Sequence, residues 1–251
     1  MFVILKWTRV KEITALFLIL LLLFLAMPLK HEFAIIPAQD NHAYQTFSKK
    51  VTEKKEISLT FNVMWGDEVI LDVLEELEQA NLHASFFLNG KWMLRNEDLA
   101  ELIIDRNHEI GLLGYDDQAY STLTETEIVE DIKNGEELLD SIGYEPLLFV
   151  RPPEYEYNNS VATIIEQAGY HPTYWSLFAP IQASQDSEKA LEHLNNHVSP
   201  GDVVLFPISD DLKETPNVLR DFIKSKKQDD FDFPTLSQLF YPADVELRQI
   251  Q

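Results

Sequence analysis

The sequence predicts an α/β fold built on a parallel sheet or an α/β barrel, and three observations predict it. From Ile57 onward, short apolar runs of strand length alternate with stretches whose apolar residues recur at helical spacing. The intervening stretches are long enough to be crossovers between parallel strands. Glycines stand where helices should stop, at Gly143 and Gly169. In order, Ile57–Val63 reads as a strand and Val69–Ala80 as a helix, with Val69, Ile70, Val73, Leu74 and Leu77 on one face. His83–Leu88, containing Ala-Ser-Phe-Phe-Leu, is a buried strand. Glu97–Asp105 is a helix, Glu109–Leu113 a short apolar run, and Glu125–Ile142 a long amphipathic helix. Then come a strand at Leu147–Val150, a helix at Val161–Ala168, a strand at Thr173–Leu177 and a helix at Ser187–His197. Val203–Phe206 is the last strand and Asn217–Lys226 the last helix. No repeat or low-complexity segment interrupts the series.

The chain has 251 residues, enough for one domain with a substantial core, and 45% of them are hydrophobic. Its net charge of -22, from 42 acidic and 20 basic residues, gives nucleic acid no basic footprint. The excess of carboxylates reads as a solvated acidic surface. With no cysteine, disulfides, thiolate catalysis and Cys-type zinc sites are excluded.

Lys6, Arg9 and Lys11 precede an uncharged run from Ile13 to Leu29. A spanning helix needs about 17 to 25 apolar residues, whereas the apolar part of a signal peptide is usually about 7–15. The run is therefore read as an uncleaved transmembrane helix with the domain outside, the alternative being secretion after signal cleavage. Residues 1–31 are the anchor or signal peptide, 32–56 a stalk, 57–240 the folded domain and 241–251 a C-terminal tail.

Five segments carry a resemblance. They are Ser58-Leu-Thr-Phe61, His83-Ala-Ser-Phe-Phe-Leu-Asn-Gly90, Asn107-His-Glu-Ile-Gly111, Phe149-Val-Arg-Pro-Pro153 with Tyr157-Asn158, and Ser199-Pro-Gly-Asp-Val-Val-Leu205. In this order they resemble the polysaccharide deacetylase family (the NodB homology domain, carbohydrate esterase family 4), across roughly Ile57 to Phe240. The resemblance implies a distorted (β/α) barrel, usually of seven strands, with the site at the C-terminal strand ends. It also implies metal-assisted deacetylation of N-acetylated sugars. There an Asp and two His hold zinc or a similar divalent cation, a second Asp is the base and a later His the acid.

At each of those positions this chain departs from the family. Where the family has the base and the first ligand stand Asn62 and Val63; where the two His ligands belong stand Leu113 and Asp117; the acid falls at Pro207. Glu154-Tyr155 replaces the usual Tyr-Gly after Pro153, and no Asp follows Trp175-Ser176 as the family pattern would have it. Such degenerate motifs mark an atypical branch. They imply a pseudoenzyme with the metal lost: an amide is no base near neutral pH, and Val and Leu have no lone pair to offer.

Of the family's site only Arg151 remains, its carboxylate partner replaced. The plain structural alternative has it paired with Glu154, Glu156 or Asp117. Asp67, Glu68, Asp116, Asp117, Asp210 and Asp211 follow strands and could form an oxygen-only metal site, although solvated loop acids are the simpler account. His108 reads as a satisfied structural histidine, while His83, His171, His193 and His197 occupy strand or helix positions without ligand spacing to one another. Trp65, Asp117, Arg151, Glu154 and Tyr155 are candidate groove residues; Trp65 could equally fold inward against Phe61. The sequence thus favours a membrane-anchored, extracytoplasmic, catalytically inactive deacetylase-like protein that binds cell-wall glycan such as peptidoglycan, or a protein partner. The alternatives are an active deacetylase with a rearranged site and a purely structural module.

Overall fold

The computed structural model describes residues 46–144, 149–153, 158–182 and 187–241. Seven strands form one sheet: β1 (Ser58–Val63), β2 (Ser85–Leu88), β3 (Glu109–Leu112), β4 (Phe149–Val150), β5 (His171–Pro172), β6 (Leu177–Phe178) and β7 (Val203–Ile208). Their order is β5-β4-β3-β2-β1-β7-β6, and every pairing is parallel. Between them run α1 (Val69–Ala80), α2 (Gly90–Arg95), α3 (Glu97–Asp105), α4 (Glu125–Ser141), α5 (Asn159–Gln167), α6 (Ser187–His197), α7 (Thr215–Gln228) and α8 (Leu236–Phe240).

Side chains alternate across the sheet, as strand geometry requires. Leu59, Phe61 and Val63 of β1, Phe86 and Leu88 of β2 and Val204 and Phe206 of β7 join the helices in the larger core. Phe87, Phe149 and Val203 face the other way and pack with Phe47, Leu113, Leu236 and Leu239 in a second, inner core. The sheet is curled around that inner core. In a flat sheet β4 and β1 would stand about 14 Å apart, three strand spacings of ~4.8 Å. Yet the Arg151 side chain, just past β4, reaches Asn62 on β1 at 2.7 Å.

The barrel is half-closed. Edge strands β5 and β6 do not pair with one another; instead the chain crosses from one edge to the other between them. The run read as a single strand, Thr173–Leu177, is that crossing. Its first residue follows β5 and its last begins β6, with Ser176 N–H donating to the Val203 carbonyl at 3.0 Å. A run of apolar and aromatic residues fits this path as well as a strand because Thr173, Tyr174 and Leu177 are buried along it.

Residues 46–56, placed in the stalk, pack on the domain. Phe47 is 3% exposed, its N–H donates to the Pro172 carbonyl at 3.0 Å, and its carbonyl accepts from Tyr174 N–H at 3.1 Å. Lys50 N–H bonds Gly201 O at 2.9 Å, and Lys49 pairs with Asp202 at 2.7 Å. Isolated bridges hold this segment in place of a continuous ladder, so it carries no period of two for sequence reasoning to find. Among the described residues no helix is long and apolar enough to cross a membrane. The run Ile13–Leu29, the first part of the stalk and all of the tail after Tyr241 lie outside the described residues.

Helices α2 and α8 have no counterpart in the sequence reading. Asn89 caps α2 by accepting from Trp92 N–H at 3.1 Å. A capping box, Thr235 with Gln238, starts α8, which closes the end of the inner core where the strands begin. There Leu236 N–H donates to Ser85 Oγ and Ser237 N–H to Glu109 Oε1, at 3.0 and 3.1 Å.

Candidate functional site

The strand ends that could carry chemistry converge on Arg151. Its guanidinium is fully buried. One Nη donates to Asn62 Oδ1 at 2.7 Å; the other donates to Thr60 Oγ1 at 3.3 Å and to the Tyr174 carbonyl at 3.0 Å. Nε donates to the Thr173 carbonyl at 3.4 Å. The plane rests on the Phe87 ring, 3.8 Å from its centroid, with Trp175 at 5.3 Å. The sequence reading that Arg151 had lost its partner is thereby corrected. The Asn62 amide oxygen sits in the acceptor's place and supplies a lone pair, though not a charge. Nor does exposed Asp117 figure among these contacts; Glu154 and Glu156 lie outside the described residues. Thr60 and Phe87 were missed as members of this site. Thr60 had a signal, being two residues before Asn62 and so on the same face of β1.

The residues at the remaining family positions do not fit a divalent cation. Val63 is fully buried and its side chain belongs to the helix-side core, turned away from Arg151. Leu113 is 1% exposed within the inner core. Pro207 is buried opposite Asn62 on the neighbouring strand. Among the described residues no donor pair faces the place where a metal would need three ligands. Among the described residues no three His, Asp or Glu side chains gather at metal-binding distance.

Two of the loop acids weighed as an oxygen-only site, Asp210 and Asp116, have other occupations. Asp210 accepts from the backbone N–H groups of Asp67, Glu68 and Val69 at 3.2, 3.0 and 3.2 Å, holding the start of α1. Partial burial pushes its carboxyl up, but those N–H bonds and the charge of Lys213 outweigh burial and leave it below the ordinary carboxylate range. A Cβ on Gly66 would fall 2.6 Å from Asp210 Oδ1, and Gly66 has φ +86°, so this tight approach requires glycine. Asp116 pairs with Lys91. Asp131, on α4, accepts from Tyr115 N–H, Asp116 N–H and Tyr120 O–H at 2.7, 2.8 and 2.7 Å.

The family motif residues that survive hold the scaffold. His108 accepts from Ala84 N–H at 3.2 Å through Nδ1; burial, with smaller pushes from His83 and Arg106, brings its pKa down to about 4. It is the satisfied structural histidine the sequence suggested. Glu109 accepts from Ser85 O–H at 2.5 Å as well as from α8. A Cβ on Gly111 would lie 2.7 Å from the Phe87 ring. Asn89 donates to the carbonyls of Leu113, Gly114 and Asp116, fixing the loop after β3. Asp202 accepts from Ser199 N–H at 2.6 Å and Ser176 O–H at 2.7 Å.

At the rim, Trp65 points outward, 56% exposed, so the inward packing weighed for it does not occur. Its ring carries the Arg95 guanidinium at 5.6 Å, and Leu94 beside it is 55% exposed. The buried indole of the region is Trp92, whose Nε1–H donates to the Gly66 carbonyl at 2.7 Å and so braces the loop bearing Trp65. Arg95 is not singled out by the sequence; it is the last residue of α2, the short helix that follows β2. Trp175 is half-buried against the inner core. Glu154, Tyr155 and Tyr157 lie outside the described residues.

Comparison with known proteins agrees with this frame. A polysaccharide deacetylase family model matches residues 49–173. A peptidoglycan-N-acetylglucosamine deacetylase of Bacillus cereus is 28% identical over 189 residues, covering 74% of this chain and 88% of that protein. Two solved structures share its fold, each at 23% sequence identity. A CE4 family pseudoenzyme from Bacillus anthracis superposes with a TM-score of 0.71 over 76% of this chain and 67% of its own. A family 4 carbohydrate esterase from Bacillus subtilis does so with a TM-score of 0.73 over 79% of this chain and 86% of its own.

Proposed function

Since this chain belongs to the polysaccharide deacetylase family, we propose that it is a member which has given up deacetylation and holds cell-wall glycan at the rim of the inherited mouth. In this reading residues 13–29 tether the domain outside the membrane. One observation carries the proposal: where the family's general base stands, a neutral amide is held by a buried arginine, Asn62 Oδ1 to Arg151 at 2.7 Å. An amide does not take a proton near neutral pH. A general base contributes typically about 10²–10⁴-fold and a metal several kcal/mol of transition-state stabilisation, so losing both leaves no useful rate. The rearranged-site alternative draws little support from the described acids: Asp210 caps a helix, Asp116 pairs with lysine, and no three of them gather at metal-binding distance. Glycan binding is supported by exposed Trp65, whose face can take a sugar ring through apolar contact, with Arg95 at hand for its hydroxyls. The Bacillus cereus relative is named for peptidoglycan N-acetylglucosamine, which makes peptidoglycan the first ligand to try.

Burial of Leu113 and Pro207 favours a second reading, a purely structural module, because it fills the ground where substrate would reach the strand ends. Two measurements on the full chain in mild detergent separate the readings. Acetate release from N-acetylglucosamine polymers and from peptidoglycan is expected at background; release abolished by Asp117→Ala would establish a rearranged active site. Titration with chitin oligomers and peptidoglycan fragments, followed by tryptophan fluorescence and calorimetry, is expected to show binding that Trp65→Ala removes. No binding at millimolar concentration would leave the structural module or a protein partner.

A further inference from the structure

His193 and His197 lie four residues apart on α6, which puts them on one face, one turn above the other. Sequence reasoning gave them no ligand spacing to one another; the structure adds how the two rings are placed. Their rings stack, with centroids 4.3 Å apart and planes 27° from parallel. His197 Nδ1 lies 2.8 Å from the His193 carbonyl oxygen. A carbonyl only accepts, so Nδ1 carries the proton and the lone pair of neutral His197 is at Nε2. A backbone carbonyl that fixes the tautomer in this way is the usual support behind a metal-binding imidazole.

The surroundings also suit a cation. His197 is exposed and is the last residue of an 11-residue helix, where the backbone carbonyls concentrate negative potential. The chain as a whole carries -22. A metal bound at ~2.0–2.1 Å by each nitrogen needs the two nitrogens about 3 Å apart. The rings must turn for both lone pairs to meet one ion, and their terminal torsions are soft enough to allow it. Because crossover helices return toward the strand starts, this turn of α6 lies just ahead of β7, at the opposite end of the sheet from Arg151.

We propose that His193 and His197 form a two-imidazole surface site for a borderline transition-metal cation, with water completing its coordination. Imidazole ligands select Cu²⁺, Ni²⁺ and Zn²⁺ and reject Mg²⁺ and Ca²⁺, and among the former Cu²⁺ binds most tightly. The site is independent of the family's metal position.

The full chain in mild detergent is titrated calorimetrically with CuCl₂, NiCl₂, ZnCl₂ and MgCl₂. Wild type is expected to take up one Cu²⁺, and more weakly one Ni²⁺ or Zn²⁺, with no heat from Mg²⁺. Copper bound in this way gives an electron paramagnetic resonance spectrum with nitrogen hyperfine structure. His193→Gln and His197→Gln should each weaken binding at least tenfold, and together remove both the binding and the nitrogen signature, while the metal-free melting temperature stays the same because these side chains line no core. Equal uptake by the double variant, or a copper spectrum with oxygen ligands only, would overturn the proposal. Metal that survives the double variant but is lost in Asp117→Ala would instead indict the reading of the family site.

Discussion

Replacing Asn62 by leucine should unfold the inner end of β1 more than its size suggests. Leucine keeps asparagine's branched outline but is bulkier, so at a site only 7% exposed some overpacking adds to the cost. What disappears is the acceptor for the shortest hydrogen bond of a fully buried guanidinium, 2.7 Å long. A hydrogen bond to a charged group contributes about 1.5–3 kcal/mol, and a buried charged donor left without its acceptor sits at the upper end. A domain of this size loses roughly 2–4 °C of melting temperature per kcal/mol, so the expected fall is about 3–12 °C. Asn62→Asp is the matched control. The introduced carboxylate keeps the geometry and adds charge, and charge-assisted bonds are roughly twice as strong as neutral ones, so its melting temperature at pH 7 should equal or exceed wild type. Arginine would hold the introduced carboxyl below its unfolded value of about 3.9. That extra stability is present above the unfolded pKa and disappears as pH falls through the folded one. Differential scanning fluorimetry of the three proteins at pH 7 and pH 3 is sufficient. If Asn62→Leu melts within about 1 °C of wild type, less than the smallest fall expected from a lost charged hydrogen bond, Arg151 is not held by Asn62.

Changes at three other positions test the scaffold. Gly201→Ala drives a Cβ into the Lys50 carbonyl oxygen at φ +81°, so it should detach residues 46–50; limited proteolysis is expected to cut there in the variant and not in wild type. Asp210→Ala removes the three-bond cap of α1 and should cost about 1 kcal/mol, within the range for capping residues, read as a lower urea midpoint. The folded pKa of Asp210 is depressed, so its contribution is present above the unfolded pKa and fades as pH falls through the folded one; Asp210→Asn should flatten that acid limb. His108, with its pKa lowered from an ordinary 6.5 to about 4 by burial, takes up its proton more readily when unfolded. Stability should therefore be full above about pH 6.5 and decline as pH falls toward 4, and urea midpoints of His108→Gln should decline less over that interval.

The sequence alone determined the alternation of strands and helices, because hydrophobic period and helix stops are local properties. It also determined which chemical groups are missing: no folding can give Val63 or Leu113 a lone pair. Helices α1, α4 and α6 appear almost at the expected residues for the same reason. Tertiary structure decided the rest. Only the curl of the sheet brings Arg151 from β4 across to Asn62 and Thr60 on β1, three strands away. Thr173–Leu177 has the composition of a strand, and only the position of the two sheet edges makes it a crossing. Phe47 belongs to the inner core through contacts with Pro172 and Phe149, more than a hundred residues on, which no local pattern records. Whether Trp65 turned in or out depended on Trp92, which takes the buried place and the Gly66 carbonyl. For His193 and His197 the spacing of four was legible all along; the orientation of the rings, which gives that spacing its meaning, came only with the folded helix.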